Sequence, residues 1–239
     1  MLAAFATACG APTEAAPDAA TEPDGAVDAP LDGGASGFGE LAGMCGVLND
    51  PELLGPAPQL FRDSLTFAHR FDDPADRPLL TPGGLRMIQT PNAGGSSVFS
   101  EVFAFEQLGR CEQAGLLKTE TEILYDQPGK ITDLEVTIDG HKIGVSVVRA
   151  MTFPLGQPYT VQAATTIIQR KLEDIQASSA NVSAQDRWEK QVLAVLAYDD
   201  QHADLVAQVW TGFDASIRAD TLLVVTVTHG DDTFIYTDN

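Results

Sequence analysis

The stretch that decides the fold is Thr121–Thr152, TEILYDQPGKITDLEVTIDGHKIGVSVVRAMT. From Ile131 to Ile138 polar and apolar residues alternate, the period of a strand that turns one face to a core. Asp139-Gly140 follows, a pair that accepts the positive φ angles of a two-residue hairpin turn. Lys142–Ala150 then returns as the second strand. With Asp139 and Gly140 as the turn, Ile138 faces His141, Val136 faces Ile143 and Leu134 faces Val145. On the other side Asp133 lies opposite Ser146, Glu135 opposite Gly144 and Thr137 opposite Lys142. One face is aliphatic. The other sets two carboxylates over small residues and is a candidate site.

Downstream, Thr160 can cap a helix whose apolar stripe is Val161, Ala164, Ile168, Leu172 and Ile175, with Lys171 at the border of the stripe. Ser183 and Asp186 suggest a capping box for a short helix carrying Trp188. Val192–Tyr198 is a continuous apolar run, as expected of a central strand covered on both faces. Asp199-Asp200 leads a helix through Trp210, and Thr221–Thr228 is a second β-branched central strand. His229-Gly-Asp-Asp reads as a turn into an edge strand, Thr233–Thr237.

Upstream, Glu40–Leu54 reads as a short broken helical piece and Pro58–Phe71 as a helix. Asp72–Gly95 is dense in turn residues and reads as loop with at most one short strand. Ser96 or Ser97 caps a helix to about Gln113, striped by Val98, Val102, Phe105 and Leu108. Glu101 and Glu106 on that helix read as solvent-facing carboxylates, although Glu101, near the helix start, is also a candidate ligand. Strand–helix–strand crossovers after an antiparallel start give an α/β domain with a mixed central sheet flanked by helices.

The order helix, antiparallel strands, helix, strand over residues 96–198 resembles the core of the restriction-endonuclease-like, or PD-(D/E)xK, superfamily. The resemblance implies a Mg²⁺-dependent phosphodiesterase site. In it Asp133 stands for the family Asp and Glu101 for the first-helix Glu, both as metal ligands. The third strand departs from the pattern: Val145-Ser146-Val147-Val148 offers Ser146 for the acid and Val148 for the Lys, and Arg149 has the opposite parity. A rearranged site would use Asp133 and Glu135 with Lys171 as a migrated lysine. Clustered carboxylates repel, so one of them should titrate high, and removing one should leave stability unchanged or raised.

The 239 residues carry a formal net charge of −20, with only 14 Lys and Arg. Nucleic acid binds mainly by neutralising phosphates with Lys and Arg, so this balance disfavours it as a partner. No Ser nucleophile elbow, HExxH, phosphate loop or dinucleotide fingerprint is present, and no cofactor is implied unless the Mg²⁺ site holds.

Met1–Cys9 reads MLAAFATAC, and residues 10–38 are rich in Ala, Pro, Asp, Glu and Gly, with no Lys or Arg before Arg62. Such a segment buries too little apolar surface to offset its ordering entropy and is expected to be a disordered acidic tether. An apolar run, small residues, Cys and a flexible linker together resemble a bacterial lipoprotein leader. The resemblance implies cleavage before Cys9, lipidation of Cys9 and anchoring in the cell envelope. The basic residues that usually precede the run are missing, and a spurious leader would leave the chain cytoplasmic. Residues 39–239 then form one globular domain. Cys45 and Cys111 either bridge in an oxidising compartment or stay apart, Cys45 as a buried apolar residue and Cys111 on a helix face.

The function expected from these readings is that of a lipid-anchored protein with a non-catalytic nuclease-like domain in a binding or structural role, its protein partner unidentified. The alternative is a divalent-metal nuclease.

Overall fold

A computed structural model describes Met1, residues 37–91 and residues 97–237. Residues 2–8 of the expected leader, the lipidation site Cys9 and residues 10–36 of the tether lie outside the described residues. In chain order the elements are β1 (Gly39–Gly43), α1 (Asp50–Leu54), β2 (Gln59–Phe67), α2 (Pro82–Gln89), α3 (Val98–Cys111) and β3 (Gly115–Thr119). They continue with β4 (Leu134–Ile138), β5 (His141–Ala150), α4 (Val161–Asn181), β6 (Lys190–Ala197), α5 (Asp200–Gly212), α6 (Ala215–Arg218), β7 (Leu222–Gly230) and α7 (Thr233–Tyr236).

The hairpin forms with the pairing that its turn dictates, Leu134 with Val145, Glu135 with Gly144 and Ile138 with His141. Asp139 and Gly140 take φ angles of 50° and 83°, as a type I′ turn requires. The helices α4 and α5 begin at the expected caps, the Thr160 hydroxyl accepting from the Ala163 amide and the Asp199 carboxylate from the His202 amide. Each returns the chain to a parallel strand, β6 beside β5 and β7 beside β6. Beyond β7 lie β2, parallel to it, and β1, antiparallel at the edge. The seven-stranded order is β1-β2-β7-β6-β5-β4-β3: four parallel strands with antiparallel strands at both margins. The expected α/β class with a mixed sheet is what the chain adopts.

Two helical layers cover the sheet. On one face α2, α3 and α7 share a core with Leu134, Val136, Ile138, Ile143 and Val145, the aliphatic side of the hairpin. A cluster of Phe38, Phe67, Phe71, Phe103 and Phe234 fills this side, with edge contacts such as Phe67–Phe103 at 4.8 Å. Each such buried side chain contributes roughly 1.5–3 kcal/mol of transfer free energy. On the other face Ala164, Ile168, Leu172 and Ile175 of α4 meet Leu193, Val195, Leu223 and Val225. β6 is buried at every position.

Several local expectations change in the folded chain. Residues 59–67 form a central strand and not a helix, because Phe61, Asp63, Leu65 and Phe67 point inward with period two. The polar Asp63 in that series hides the alternation. The segment 72–95 contains a 3-10 turn, Pro74–Leu79, and α2, which Thr81 caps through the Gly84 amide. Gly83-Gly84 makes the helix look like a turn, yet the pair is needed for close packing: a Cβ at Gly84 would sit 2.2 Å from Glu106 Oε1. Glu40–Gly43 belongs to β1, and helix begins only at Asp50. No helix follows Ser183, because Asp186 is drawn to Lys118 and the Leu124 amide. The last segment is the buried turn α7 and not an edge strand, since Phe234, Ile235 and Tyr236 are all buried together. Phe38, placed by its neighbours in the tether, is fully buried, with Arg110 stacked over its ring.

A disulfide joins Cys45 to Cys111, with Cα atoms 4.4 Å apart. Glu112 holds the same loop, its two oxygens accepting from the amides of Gly46 (3.0 Å) and Leu48 (2.8 Å). Of the two cysteines Cys111 is the buried one. Among the described residues no helix is long and apolar enough to cross a membrane.

Candidate functional site

The polar face of the hairpin is covered by α4, by the loop between α4 and β6 that carries Asp186 and Trp188, and by the loop leading into β4. Glu135 sits opposite Gly144, and the indole of Trp188 lies directly over that glycine. A Cβ at Gly144 would come within 2.8 Å of the ring, so the small floor exists to admit Trp188. Glu135 is thereby 1% exposed. One oxygen meets Lys142 Nζ at 3.1 Å, and Oε2 is buried without a hydrogen-bond partner. Burial pushes the Glu135 carboxyl above its ordinary range, the charge of Asp186 adds to this, and Lys142 and Lys118 oppose it. One carboxyl therefore does titrate high, but desolvation is the leading cause and Asp133 is not among the causes.

Lys118 on β3 contacts both oxygens of Asp186 at 2.7 Å, and Asp186 Oδ2 also accepts from the Leu124 amide at 2.7 Å. Burial opposes the charge on Asp186, but Lys118 and the Leu124 amide outweigh it and hold the carboxyl below the usual range. Glu135, Lys142, Lys118 and Asp186 thus form a compensated group of two acids and two lysines.

Asp133 stands one residue before β4. Its Oδ2 accepts from the Val147 amide at 2.6 Å and lies 3.5 Å from Lys171 Nζ. Its own amide donates to the Val145 carbonyl at 3.1 Å, so Asp133 brackets Ser146 as the turn register predicts. Beside it the Thr132 and Ser178 hydroxyls meet at 2.9 Å, and the Tyr125 hydroxyl accepts from the Thr132 amide. These contacts fasten the loop and the ribbon to α4.

Glu101 is elsewhere. It belongs to α3 on the opposite face of the sheet, accepts from the Ser97 hydroxyl at 2.6 Å, and lines a crevice with Met87, Thr119 and Leu134. Leu134 faces that side, whereas its neighbours Asp133 and Glu135 face α4. Neither Glu101 nor Glu106 faces solvent. Glu106, fully buried, accepts from the amide and hydroxyl of Thr81 and from Arg110. Among the described residues no three His, Cys, Asp or Glu side chains are grouped so as to hold a metal ion.

The fold therefore brings Lys171 to Asp133, gives Glu135 to Lys142, and puts Glu101 across the sheet from Asp133, Glu135 and Lys171. Sequence reading missed Lys118 and took Asp186 for a helix cap; the two are 68 residues apart. The signal for Lys142 is its strand parity, which puts it on the Glu135 face one pair nearer the turn. The polar group carries internal charge balance and fastens β3, β4 and β5 to the loop between α4 and β6.

No family model matches this chain, and no solved structure matches it significantly. Among curated proteins it is similar to the AAC-rich mRNA clone AAC4 protein of Dictyostelium discoideum, at 44% identity over 153 residues. The match covers 62% of this chain and 22% of that protein.

Proposed function

We propose that this chain is a lipid-anchored envelope protein whose α/β domain binds a partner or serves a structural role, and that its nuclease-like order of elements carries no phosphodiester chemistry. The observation that supports this reading is the engagement of the candidate ligands. Asp133 is held by the Val147 amide and Lys171, Glu135 by Lys142, and Glu101 lies across the sheet. A Mg²⁺ site needs several hard oxygen ligands converging on one point. Burying a carboxylate beside its own lysine leaves less for a metal to gain.

Purified full-length chain is expected to cleave neither single- nor double-stranded DNA with Mg²⁺ or Mn²⁺. Asp133→Ala is expected to fold but to lose about 1–2 kcal/mol, since it strands the Val147 amide. This reverses the neutral or stabilising effect expected from carboxylate repulsion alone. The second reading, a migrated-lysine nuclease, rests on the 3.5 Å approach of Lys171 to Asp133. Metal-dependent cleavage that is lost in both Asp133→Ala and Lys171→Ala would establish it in place of the first.

The anchoring part of the proposal rests on the leader and on the cysteines. The chain has three cysteines. Two are bridged, which suits an oxidising compartment and leaves Cys9 as the remaining thiol. The bacterial placement draws nothing from the similar protein, which is eukaryotic. Intact-mass analysis of protein extracted from native membranes is expected to show loss of the residues before Cys9 and added acyl mass. A soluble product that keeps Met1 would end the lipoprotein reading.

A further inference from the structure

The parallel strands β2, β7, β6 and β5 all end at one edge of the sheet, and ligands of open α/β sheets bind beyond that edge. There, past the ends of β5 and β6, lies a cavity of about 270 Å³, just under the roughly 300–1,000 Å³ usual for ligand sites. Its walls include Leu155, Pro158, Tyr159, Tyr198, Asp199 and His202.

Three of these are aromatic rings set at an angle to one another. The His202 ring lies 4.6 Å from Tyr159 and 5.8 Å from Tyr198, tilted by 45° and 41°. Tyr198 is braced from behind by an edge contact with Tyr236 at 5.1 Å. His202 Nδ1 lies 2.9 Å from the Ala150 carbonyl. A carbonyl only accepts, so Nδ1 carries the hydrogen, and in the neutral ring Nε2 keeps its lone pair.

Among the described residues of the lining, Asp199 is the one carboxylate, and no Lys or Arg contributes. Asp199 Oδ1 caps α5, while Oδ2 is 4.0 Å from His202 Nε2 and the side chain is 47% exposed. The carboxylates of Asp199 and Asp200 offset the positive end of the α5 dipole. The cavity therefore sets one carboxylate beside three aromatic rings.

We propose that this cavity binds a small organic cation of the quaternary or methylated ammonium type. Aromatic faces attract a cation through the ring quadrupole, most strongly where water is excluded, and Asp199 supplies the counter-charge. A metal ion would need more oxygen ligands than the one carboxylate here offers. An anion would meet no Lys or Arg among the described lining residues. The proposal is independent of whether the hairpin face is catalytic and of whether Cys9 is lipidated.

The test is calorimetric titration of the full chain with choline and with its uncharged carbon isostere. Choline is expected to bind saturably and the isostere about tenfold or more weakly. Asp199→Asn keeps a good helix cap while removing the charge, and should weaken choline binding about tenfold. Tyr198→Leu should weaken it similarly; should that variant not fold, Asp199→Asn decides. Absence of saturable choline binding, equal binding of the isostere, or unchanged affinity in Asp199→Asn would each overturn the proposal.

Discussion

Reduction of the Cys45–Cys111 bridge is expected to lower the stability of the domain by about 4 kcal/mol. The bridged residues are 66 apart in sequence, and cross-linking a loop of that length restricts the unfolded chain by about this much in the chain-entropy account. In the native state Glu112 pins the same loop through the amides of Gly46 and Leu48. The bridge therefore acts mainly through the unfolded ensemble, and the reduced protein should keep its fold. For a domain of this size the fall in Tm is on the order of 10 °C. Thermal melts of the protein with and without reductant check this, beside a Cys45→Ala/Cys111→Ala double variant that should melt like the reduced form. Thiol counting on unfolded, unreduced protein should find none at Cys45 or Cys111. Two reactive thiols there, or equal Tm values, would refute the bridge.

The second large effect is a loss of stability as pH rises, centred on Asp63. This residue lies on β2, 4% exposed, with Gln107 Nε2 donating to Oδ2 at 2.5 Å and Oδ1 without a partner. Burial, with the charge of Glu112 adding to it and the neighbouring polar groups of Thr226 and Gln107 opposing it, pushes the Asp63 carboxyl up to about 7. The folded chain then keeps a proton that the unfolded chain releases near pH 4. Its contribution to stability is complete below pH 4 and is lost as pH rises to about 7. Holding the carboxyl at about 7 in the fold, against about 4 in the unfolded chain, corresponds to about 4 kcal/mol. Glu106, Glu112, Glu135 and Asp232, all raised by burial, act in the same direction. Glu122 and Asp186, both lowered, act against it. Urea unfolding of the wild type should thus show stability falling between about pH 4 and 7, and Asp63→Asn should flatten that slope. A variant whose slope matches the wild type would show that Asp63 is ionised in the native core.

Both effects depend on residues that look ordinary in the sequence. Asp63 sits in LFRDSLTF, where it interrupts the apolar alternation and makes a central strand resemble a helix. The Thr81-Pro82 start of α2 is a legible helix signal, but the glycines behind it imitate a turn because their purpose lies in α3. The final FIY is apolar enough for a strand or a helix. It becomes a helical turn because Tyr236 reaches the Thr228 hydroxyl at 2.7 Å and Phe234 enters the phenylalanine cluster.

What the sequence determined by itself is whatever depends on neighbours within about a turn or a strand pair. The Asp139-Gly140 turn and the period of two specify every pair of the hairpin. Thr160 and Asp199 start α4 and α5, and unbroken apolar runs mark β6 and β7 as central. From these the α/β class follows. Only the tertiary structure decided what covers each face and which charges meet there. Lys171 reaches Asp133 across 38 residues, Gln107 reaches Asp63 across 44, and Lys118 reaches Asp186 across 68. Strand parity says that Asp133 and Glu135 share a side. Whether that side meets water, a metal or a lysine depends on the helix and loop laid over it, and their placement is set by apolar packing distributed over the whole chain.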